Sequence, residues 1–315
     1  MIAASPDRTD ALSTDDVVLV TGSTSGIGRE IANNVAAAGA TVLVHGRDRE
    51  AGRATVDALP GDDHAFYRAD FADLSAVRDL AAAVRDDIDA LHGLVNNAGT
   101  WQRERRLVSV PGCEDGVETT FAVNHLAPFL LTHLLCDRLR AGGDAGGDEG
   151  DPARVVAVSS EVHMRADLTL SGARGPDGPA GMAAYAQSKL ANVMFTYGLA
   201  RRLPDGVVAN ACHPGATPAT ALAREASPLM TLGWRLFGLV GKVVDVTDST
   251  AEAAATPTYL VGSRAAADAN GQYFEDCERS RSAEASHDRS AQRDLWERSS
   301  EWVALSEDER ERLAA

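Results

Sequence analysis

The sequence predicts an α/β protein, with a doubly wound parallel sheet that carries helices on both faces. Three observations indicate this fold. Short apolar runs alternate with helical patterns, the runs are apolar at consecutive positions as in strands buried on both faces, and no linker interrupts the alternation. With 315 residues, 44% of them apolar, the chain can bury a sizeable core. We therefore predict one domain over residues 16–315, preceded by a flexible extension of residues 1–15.

The predicted strands each end near a polar or glycine-containing turn. They are VVLVTG (17–22), TVLVHG (41–46), HAFYRAD (64–70), GLVNNAG (93–99), RVVAVSS (154–160), VVANACHPG (207–215) and GQYFED (271–276). The first predicted helix ends at Ala38, because Gly39 is a stop signal. The others are Asp48–Leu59, Leu74–Ile88, Val117–Leu139, Ala183–Leu203 and Thr247–Val261.

Three further segments complete the predicted organisation. Residues 216–245 have a helical pattern without a strand partner, which indicates a small cap over the substrate. Residues 287–313 have the pattern of one or two amphipathic C-terminal helices. The glycine-rich segment SGARGPDGPAG (171–181) is predicted to be a flexible connection.

Composition excludes several classes of function. A net charge of −16 without a cluster of lysine or arginine argues against a nucleic-acid partner. No apolar run reaches the roughly 18 residues that a membrane span needs, and no signal peptide is recognisable. The four cysteines are scattered without CxxC spacing, and the histidines have no metal-site spacing. We therefore expect a cytoplasmic protein without a membrane span or a metal.

The acidic composition has two interpretations. Aspartate outnumbers glutamate 29 to 17, and only two of the 30 basic residues are lysine. Dense carboxylates keep a protein hydrated in concentrated salt, which screens their repulsion, so the chain is predicted to be halophilic. The alternative is a GC-rich genome that favours Ala, Arg, Gly and Asp codons.

A glycine-rich turn between the first strand and the first helix predicts a nucleotide site. The segment VTGSTSGIG places Gly22, Gly26 and Gly28 in a G-x-x-x-G-x-G spacing, where backbone amides and the helix N-terminus can approach a pyrophosphate. This spacing indicates a Rossmann-type fold, although it differs from the general G-x-G-x-x-G pattern. The residues expected to contact the cofactor are Gly22, Ser23, Thr24, Ser25, Gly26, Ile27 and Gly28.

The end of the second strand distinguishes NADP(H) from NAD(H). An acidic residue there bonds the ribose hydroxyl of NAD, whereas an arginine accommodates the 2′-phosphate of NADP. This chain has Gly46 in place of the acid, followed by Arg47, which favours NADP(H). The alternative is that Arg47 is an ordinary surface residue and Asp48 binds the ribose. Asp70 and Phe71, after the third strand, are expected to flank the adenine.

These motifs, with others in the same order, resemble the classical short-chain dehydrogenase/reductase family. The matching segments are TGSTSGIG (21–28), NNAG (96–99), Asn124 in FAVNHLAPFLLTHLL, Ser160 in VVAVSSEVH, YAQSK (185–189) and HPG (213–215). The sequences around them are most similar to the retinol-dehydrogenase-like branch, which generally uses NADP(H). The resemblance therefore implies an NADP(H)-dependent oxidoreductase.

Tyr185 and Lys189 lie one helical turn apart, so their polar ends point to the same place. Hydride transfer between nicotinamide and a carbonyl carbon requires a proton to move to or from the oxygen. A tyrosine with its usual pKa of about 10 loses its proton too reluctantly near neutral pH. A neighbouring ammonium group favours the phenolate, so Tyr185 is predicted to be the general acid/base, with its pKa lowered by Lys189.

The resemblance implies roles for the remaining residues. Ser160 would donate a hydrogen bond to the substrate oxygen, and Asn124 would hold its helix open for a water that relays protons toward Lys189. Lys189 would also bond the nicotinamide ribose. The other implied cofactor contacts are Asn97, Ala98 and Gly99 near the adenosine and Pro214, Gly215 and Thr217 near the nicotinamide. His163 is interpreted as a strand-end histidine or as part of the substrate mouth.

The expected substrate is a hydrophobic alcohol, aldehyde or ketone, bound by residues 161–182 and by the apolar cap. The apolar side chains of the cap could equally pack against a neighbouring helix. Two other functions remain open, namely an NADPH-dependent C=C reductase and a non-catalytic NADP(H)-binding redox sensor. A sensor would not need Ser160, Tyr185 and Lys189 together. The resemblance also implies a homodimer or homotetramer that pairs through the long helices, unless the C-terminal helices cover them.

Overall fold

A computed structural model describes residues 8–144, 151–215 and 249–314 and confirms the predicted α/β fold. Its strands are β1 (Val17–Val20), β2 (Thr41–Gly46), β3 (Ala65–Arg68), β4 (Gly93–Asn96), β5 (Leu107–Val110), β6 (Cys113–Glu118), β7 (Ala153–Val158), β8 (Val207–Cys212), β9 (Gln272–Glu275) and β10 (Glu278–Arg279). Its α-helices are α1 (Gly26–Ala37), α2 (Arg49–Ala58), α3 (Leu74–Asp87), α4 (Thr119–Phe121), α5 (Ala127–Leu134), α6 (Cys136–Asp144), α7 (Leu170–Ala173), α8 (Gly181–Ala200), α9 (Thr250–Gly262), α10 (Arg289–Trp302) and α11 (Glu307–Ala314). A π-helical segment (Ala122–Leu126) joins α4 to α5.

The main sheet has eight strands in the order β10-β9-β8-β7-β4-β1-β2-β3. Seven of them are parallel and correspond to the seven strands predicted from the sequence, and β10 pairs with β9 in the antiparallel sense. The strand order reverses beside β1, which pairs with β2 on one side and with β4 on the other. This reversal is the place where open α/β sheets bind their ligands.

Helices cover both faces of the sheet, because alternate strand residues point to opposite sides. Leu19 of β1 belongs to an apolar cluster with α3, α5 and α8, whereas Val18 and Val20 belong to a second cluster with α1 and α9. A strand buried on both faces needs apolar residues at successive positions, which explains the run VVLV in β1.

The long helix predicted over Val117–Leu139 is wrong at its start and in its continuity. Val117 and Glu118 belong to β6, which forms an antiparallel hairpin with β5 that the sequence did not predict. The helix starts at Thr119, and Ala127 N–H bonds Ala122 O, five residues back, so one turn is wider than an α-helical turn. Asn124 lies inside this widened turn.

The C-terminal segment, predicted to form one or two helices, forms α10 and α11, and α10 packs over α5 and α8. The Trp296 ring lies 5.3 Å from Phe129 and 5.7 Å from Phe195, and Trp302 meets Phe121 edge-on. His125 Nε2 lies 2.9 Å from Ser299 Oγ. Helix α10 thus covers α5 and α8, through which the resemblance implies that two subunits pair. The oligomeric state stays a prediction.

Residues near the start of the described chain lie against the end of α9. Ala11 N–H donates to Gly262 O at 2.8 Å, and the Asp10 carboxylate accepts from the Arg264 N–H at 2.9 Å. Within the described ranges, no helix is both long and apolar enough to cross a membrane. The predicted cap, residues 216–245, and Thr217 within it lie outside the described residues.

Candidate active site

Four neighbouring strands bring the predicted site residues to one edge of the sheet. β8, β7, β4 and β1 lie side by side and parallel, so their carboxyl ends meet. The glycine turn follows β1, Asn97 follows β4, Ser160 follows β7 and Pro214 follows β8. The predicted cofactor and catalytic residues at these ends therefore share one edge.

The glycine turn is shaped by close contacts that leave no room for side chains. Gly22 has a φ of +67°, and a Cβ there would lie 2.9 Å from Ala98 Cα. A Cβ at Gly28 would collide with the Asn97 side chain and Gly22 O. Gly26 differs. Apart from its chain neighbours and the backbone of its own helix, no atom lies within 4 Å of the place where its Cβ would be. The turn thus packs tightly at Gly22 and Gly28 and is open at Gly26, as a phosphate cradle requires.

The N-terminus of α1 fits an anionic group. Ser25 is its N-cap residue but makes no side-chain capping bond, and the first turn has no acidic residue. By contrast, Asp48 and Asp73 cap α2 and α3 with their carboxylates. Uncapped amides at the positive end of a helix are the groups that bind phosphate in nucleotide-binding proteins. The described residues therefore satisfy the requirement for a dinucleotide.

Thr21 and His45 hold the glycine turn, and the sequence did not predict either role. The Thr21 hydroxyl accepts the N–H groups of Asn97 and Ala98, at 3.0 Å each. His45 Nδ1 accepts the Gly22 N–H at 3.1 Å, and the Ser23 hydroxyl accepts the main-chain N–H of His45 at 3.0 Å. Burial lowers the pKa of His45 to about 4, so the ring is neutral and can accept at neutral pH. A polar residue inside an apolar strand was the available signal.

Two of the predicted contacts are buried side chains. The Ser23 hydroxyl is fully buried and engaged with β2, and Phe71 is buried and stacks on His45 with ring centroids 4.4 Å apart. Thr24, Ser25 and Ile27 are partly exposed, and Asp70 is exposed.

The end of β2 excludes an acidic side chain at position 46. A Cβ at Gly46 would lie 2.5 Å from Thr24 Cγ2. The Asp48 carboxylate accepts the N–H groups of Glu50 and Ala51, at 2.9 and 3.1 Å, as the cap of α2. Arg47 is exposed, and its carbonyl accepts a bond from Arg68 Nε at 3.0 Å. Two guanidinium-bearing residues thus lie where β2 and β3 end.

Tyr185, Ser160 and Lys189 form one cluster beside β7. The Ser160 hydroxyl lies close enough to Tyr185 to act on the pKa of the phenol, and Lys189 Nζ lies 5.6 Å from the centre of the Tyr185 ring. Lys189 Nζ donates to Val158 O at 2.9 Å. The neighbouring Ser159 hydroxyl donates to Lys189 O at 2.9 Å, which leaves Ser160 as the serine of the pair that faces Tyr185.

Burial is the main cause of the pKa shifts in this cluster. It raises the pKa of Tyr185 to about 12, against the opposite effect of the Ser160 hydrogen bond. It lowers the pKa of Lys189 to about 8. The direction of the pKa shift of Tyr185 is opposite to the one expected from the sequence, because removing a phenolate from water costs more than the Ser160 hydroxyl recovers. The Tyr185 phenol is therefore protonated at neutral pH.

Asn124 connects the widened helical turn to the cluster. Its Oδ1 accepts the Thr100 N–H at 2.7 Å, and its Nδ2 donates to Thr100 O at 3.0 Å and to Ser188 Oγ at 2.9 Å. Gly99 lies between the two sites, because a Cβ there would be 3.4 Å from Asn124 Oδ1 and 3.5 Å from Lys189 Nζ. The four residues predicted to be catalytic thus meet at one place.

Comparison with known proteins identifies the family. Residues 16–229 match the family described as short chain dehydrogenase. The chain belongs to this family. Retinol dehydrogenase 12 of Mus musculus is 35% identical over 295 residues, which is 92% of this chain and 86% of the mouse protein. Polyprenol dehydrogenase of Homo sapiens is 32% identical, again over 92% of this chain and 86% of the relative. These relatives confirm the resemblance to the retinol-dehydrogenase-like branch and an oxidoreductase function.

Solved structures of other proteins share the fold. An uncharacterised protein of Mycobacterium paratuberculosis superposes with a TM-score of 0.70 at 25% identity, covering 96% of this chain and 97% of that one. RhlG of Pseudomonas aeruginosa, solved as an NADP active-site complex, superposes with a TM-score of 0.66 at 27% identity, covering 85% and 96%. These structures support the Rossmann-type assignment of this dehydrogenase.

In this dehydrogenase His163 is buried, and its role at the substrate mouth stays a prediction. Its Nδ1 lies 2.7 Å from Ser160 O, and its Nε2 accepts the Ala283 N–H at 3.2 Å. Burial lowers the pKa of His163, which keeps Nε2 free to accept. At the end of β8, Pro214 and Gly215 are partly exposed, and Gly215 has a φ of +82°.

Proposed function

We propose that this protein is an NADP(H)-dependent oxidoreductase that transfers a hydride between nicotinamide and a hydrophobic alcohol or carbonyl substrate. Tyr185 is the general acid/base. The observation that carries the proposal is the meeting of Ser160, Tyr185, Lys189 and Asn124 beside the open glycine turn. A phenol, a hydroxyl donor and an ammonium group within one cluster are what carbonyl reduction needs.

The dinucleotide would lie along the edge formed by the ends of β1, β4 and β8. The amides at the start of α1 would hold its phosphates, and Gly26 leaves the approach to them open. Lys189 would bond the nicotinamide ribose, with Pro214 and Gly215 beside the ring. When bound, NADP(H) supplies the hydride and, in the oxidised form, a positive charge.

Tyr185 moves the proton in this scheme. In reduction, its O–H protonates the substrate oxygen as the hydride arrives, and the raised pKa keeps it protonated until then. Ser160 donates a second hydrogen bond to the same oxygen and stabilises the negative charge that develops there. In oxidation, the phenolate must form first, and protonated Lys189 favours it. After reduction, the phenolate regains its proton through Lys189 and a water held near Asn124. In oxidation, the phenolate takes the hydroxyl proton of the substrate and releases it by the same route.

The preference for NADP(H) rests on the end of β2. Thr24 occupies the space that an acid at position 46 would need, and the Asp48 carboxylate already caps α2. Arg47 is an exposed cation at this point, with Arg68 beside it, and a guanidinium pairs well with a phosphate. Two solved relatives at 27% identity, RhlG of Pseudomonas aeruginosa and a dehydrogenase of Burkholderia cenocepacia, are complexes with NADP.

The substrate is proposed to be an apolar molecule. The relatives at 32–35% identity are named for retinol and polyprenol, both long apolar alcohols. Two large apolar side chains next to the catalytic residues are half exposed, Met164 at 48% and Met182 at 47%. Met164 lies four residues after Ser160 and Met182 three residues before Tyr185, so both flank the expected substrate entrance.

The decisive experiment measures NADPH oxidation with a panel of apolar aldehydes and ketones, for the wild type and Tyr185→Phe. We expect Tyr185→Phe to lose at least 100-fold in kcat while its Kd for NADPH stays within twofold, because only the proton donor is removed. Unchanged turnover in Tyr185→Phe would refute the assigned role.

Product analysis with an enone distinguishes carbonyl reduction from C=C reduction, and tight NADPH binding without turnover of any substrate would favour the sensor.

Cofactor preference is tested separately with Arg47→Ala. The loss of a charged hydrogen bond of about 1.5–3 kcal/mol corresponds to roughly 10- to 150-fold weaker NADPH binding, with little change for NADH. Arg53→Ala is the matched control, because Arg53 is also exposed but lies along α2 away from its start. An equal effect of the two substitutions would exclude Arg47 as the phosphate ligand.

A further inference from the structure

The segment between α7 and α8, predicted to be flexible, is held by one arginine. Arg105, in the loop after β4, places its guanidinium among four main-chain carbonyls. Its Nε donates to Gly175 O at 3.0 Å and its Nη1 to Pro179 O at 2.7 Å. Its Nη2 donates to Gly172 O at 3.0 Å, Arg174 O at 3.1 Å and Gly175 O at 2.7 Å. Residues 172–179 thus wrap around a single side chain.

The unpredicted hairpin β5–β6 holds the same segment from the other side. Gly175 N–H donates to Gly116 O at 3.0 Å, and Arg174 pairs with Asp115 at 2.6 Å. Val117 also forms a bridge with Arg174. The loop after β4 and the hairpin therefore act together on the chain that leads to Tyr185.

This segment depends on such contacts because its own sequence does not define a conformation. Gly175, Gly178 and Gly181 have φ values of +67°, +158° and +59°, and glycine loses more conformational entropy on ordering than other residues. The segment is also tightly closed, since a Cβ at Gly178 would lie 3.0 Å from Arg105 Nη1. No carboxylate pairs with the Arg105 guanidinium within the described ranges, so its donors serve the loop.

We propose that Arg105 is a positioning residue that sets substrate affinity by fixing the chain between Ser160 and Tyr185. It touches neither the cofactor turn nor the catalytic hydroxyls, and it acts through residues 172–179. These residues continue into α8 at Gly181, next to Met182, and belong to the stretch 161–182 that is predicted to bind the substrate. The inference rests on the proposed function for its kinetic consequence but not for the loop contact itself.

The kinetic test compares Arg105→Ala, Arg105→Lys and, as a control, Arg106→Ala. We expect Arg105→Ala to raise the KM for an apolar ketone at least tenfold, with kcat within threefold and the Kd for NADPH within twofold. Lysine keeps the charge but has three donors on one nitrogen, so Arg105→Lys should recover only part of the affinity. Arg106 is exposed and adjacent, so its loss should leave KM unchanged.

Limited trypsin digestion tests the loop contact without any substrate. The bond after Arg174 lies inside the clamped segment, so the folded wild type should be cut there slowly. We expect at least tenfold faster cutting after Arg174 in Arg105→Ala, with Arg106→Ala unchanged and with circular dichroism showing that all variants are folded. Equal cutting rates would overturn the proposal, whatever the activity. Faster cutting with an unchanged KM would show that the clamp is structural only, which also refutes the role in substrate affinity.

Discussion

Three buried histidines make the stability of this protein sensitive to mild acid. Burial lowers the pKa of His45 and His133 to about 4 and that of His125 to about 3, whereas an unfolded histidine titrates near 6.5. Below pH 6.5 the unfolded chain binds protons that the folded chain does not, so the free energy of unfolding falls as the pH falls. This loss continues until the folded pKa values are reached.

The size of the effect follows from these values. At about 1.4 kcal/mol for each pKa unit, going from pH 7 to pH 5 costs about 2 kcal/mol for each histidine, or roughly 6 kcal/mol for the three. That is comparable to the whole stability of many domains, about 5–15 kcal/mol. The carboxylates with lowered pKa values, such as Asp73 and Glu309, lose their stabilising effect only below about pH 4.5, outside this window.

Urea denaturation at pH 7, 6 and 5 measures this dependence. We expect His133→Asn, which keeps a donor for the bond to Phe129 O at 2.7 Å, to lose about 2 kcal/mol of the difference between pH 7 and pH 5. Its absolute stability at pH 7 does not enter the comparison. A wild type equally stable at pH 7 and pH 5, or a His133→Asn variant with the full dependence, would refute the reasoning. General charge repulsion works in the opposite direction, because acid reduces the net charge of −16.

Three further outcomes are expected. In steady-state assays, His163→Leu should lower kcat about tenfold at unchanged NADPH affinity, since it removes the bond to Ser160 O. His163→Gln offers both a donor and an acceptor, so it should recover most of the lost kcat. Gly46→Asp should lower the free energy of unfolding by about 1–3 kcal/mol in thermal melts, because the new side chain clashes with Thr24. Its affinity for NADH should rise only when Thr24→Ala is made as well. A stable single variant that binds NADH would contradict this. If the acidic surface is an adaptation to salt, the free energy of unfolding should rise markedly from 0.1 to 2 M KCl, and a flat profile would favour genome composition.

The parallel sheet could be predicted from the sequence because its strands are buried on both faces. The hairpin could not, because Leu107–Val110 is mostly exposed and Cys113–Glu118 contains Glu114, Asp115 and Gly116, which are rare in strands. Its stability comes from contacts with the rest of the fold. The widened turn at Asn124 was equally invisible, since one extra residue in a turn leaves an apolar helix apolar.

The motif residues of the site were predictable because they end successive strands. The residues that hold them in place were not, since their partners are distant in sequence. His45 acts on Gly22, 23 residues away, Thr21 on Asn97, 76 residues away, and Arg105 on Gly175, 70 residues away. The protonation of Tyr185 also depended on its depth in the fold, which the spacing to Lys189 does not reveal.

The packing of α10 over α5 and α8 has a consequence for the gene. A nonsense mutation at the codon of Arg289 would leave every motif residue of the site in place. It would nevertheless strip Trp296 and Trp302 from the aromatic rings of Phe121, Phe129 and Phe195. The shortened protein would expose a large hydrophobic surface and would be expected to aggregate. Intact coding sequence for the last thirty or so codons is thus as necessary to a working enzyme as the tyrosine itself.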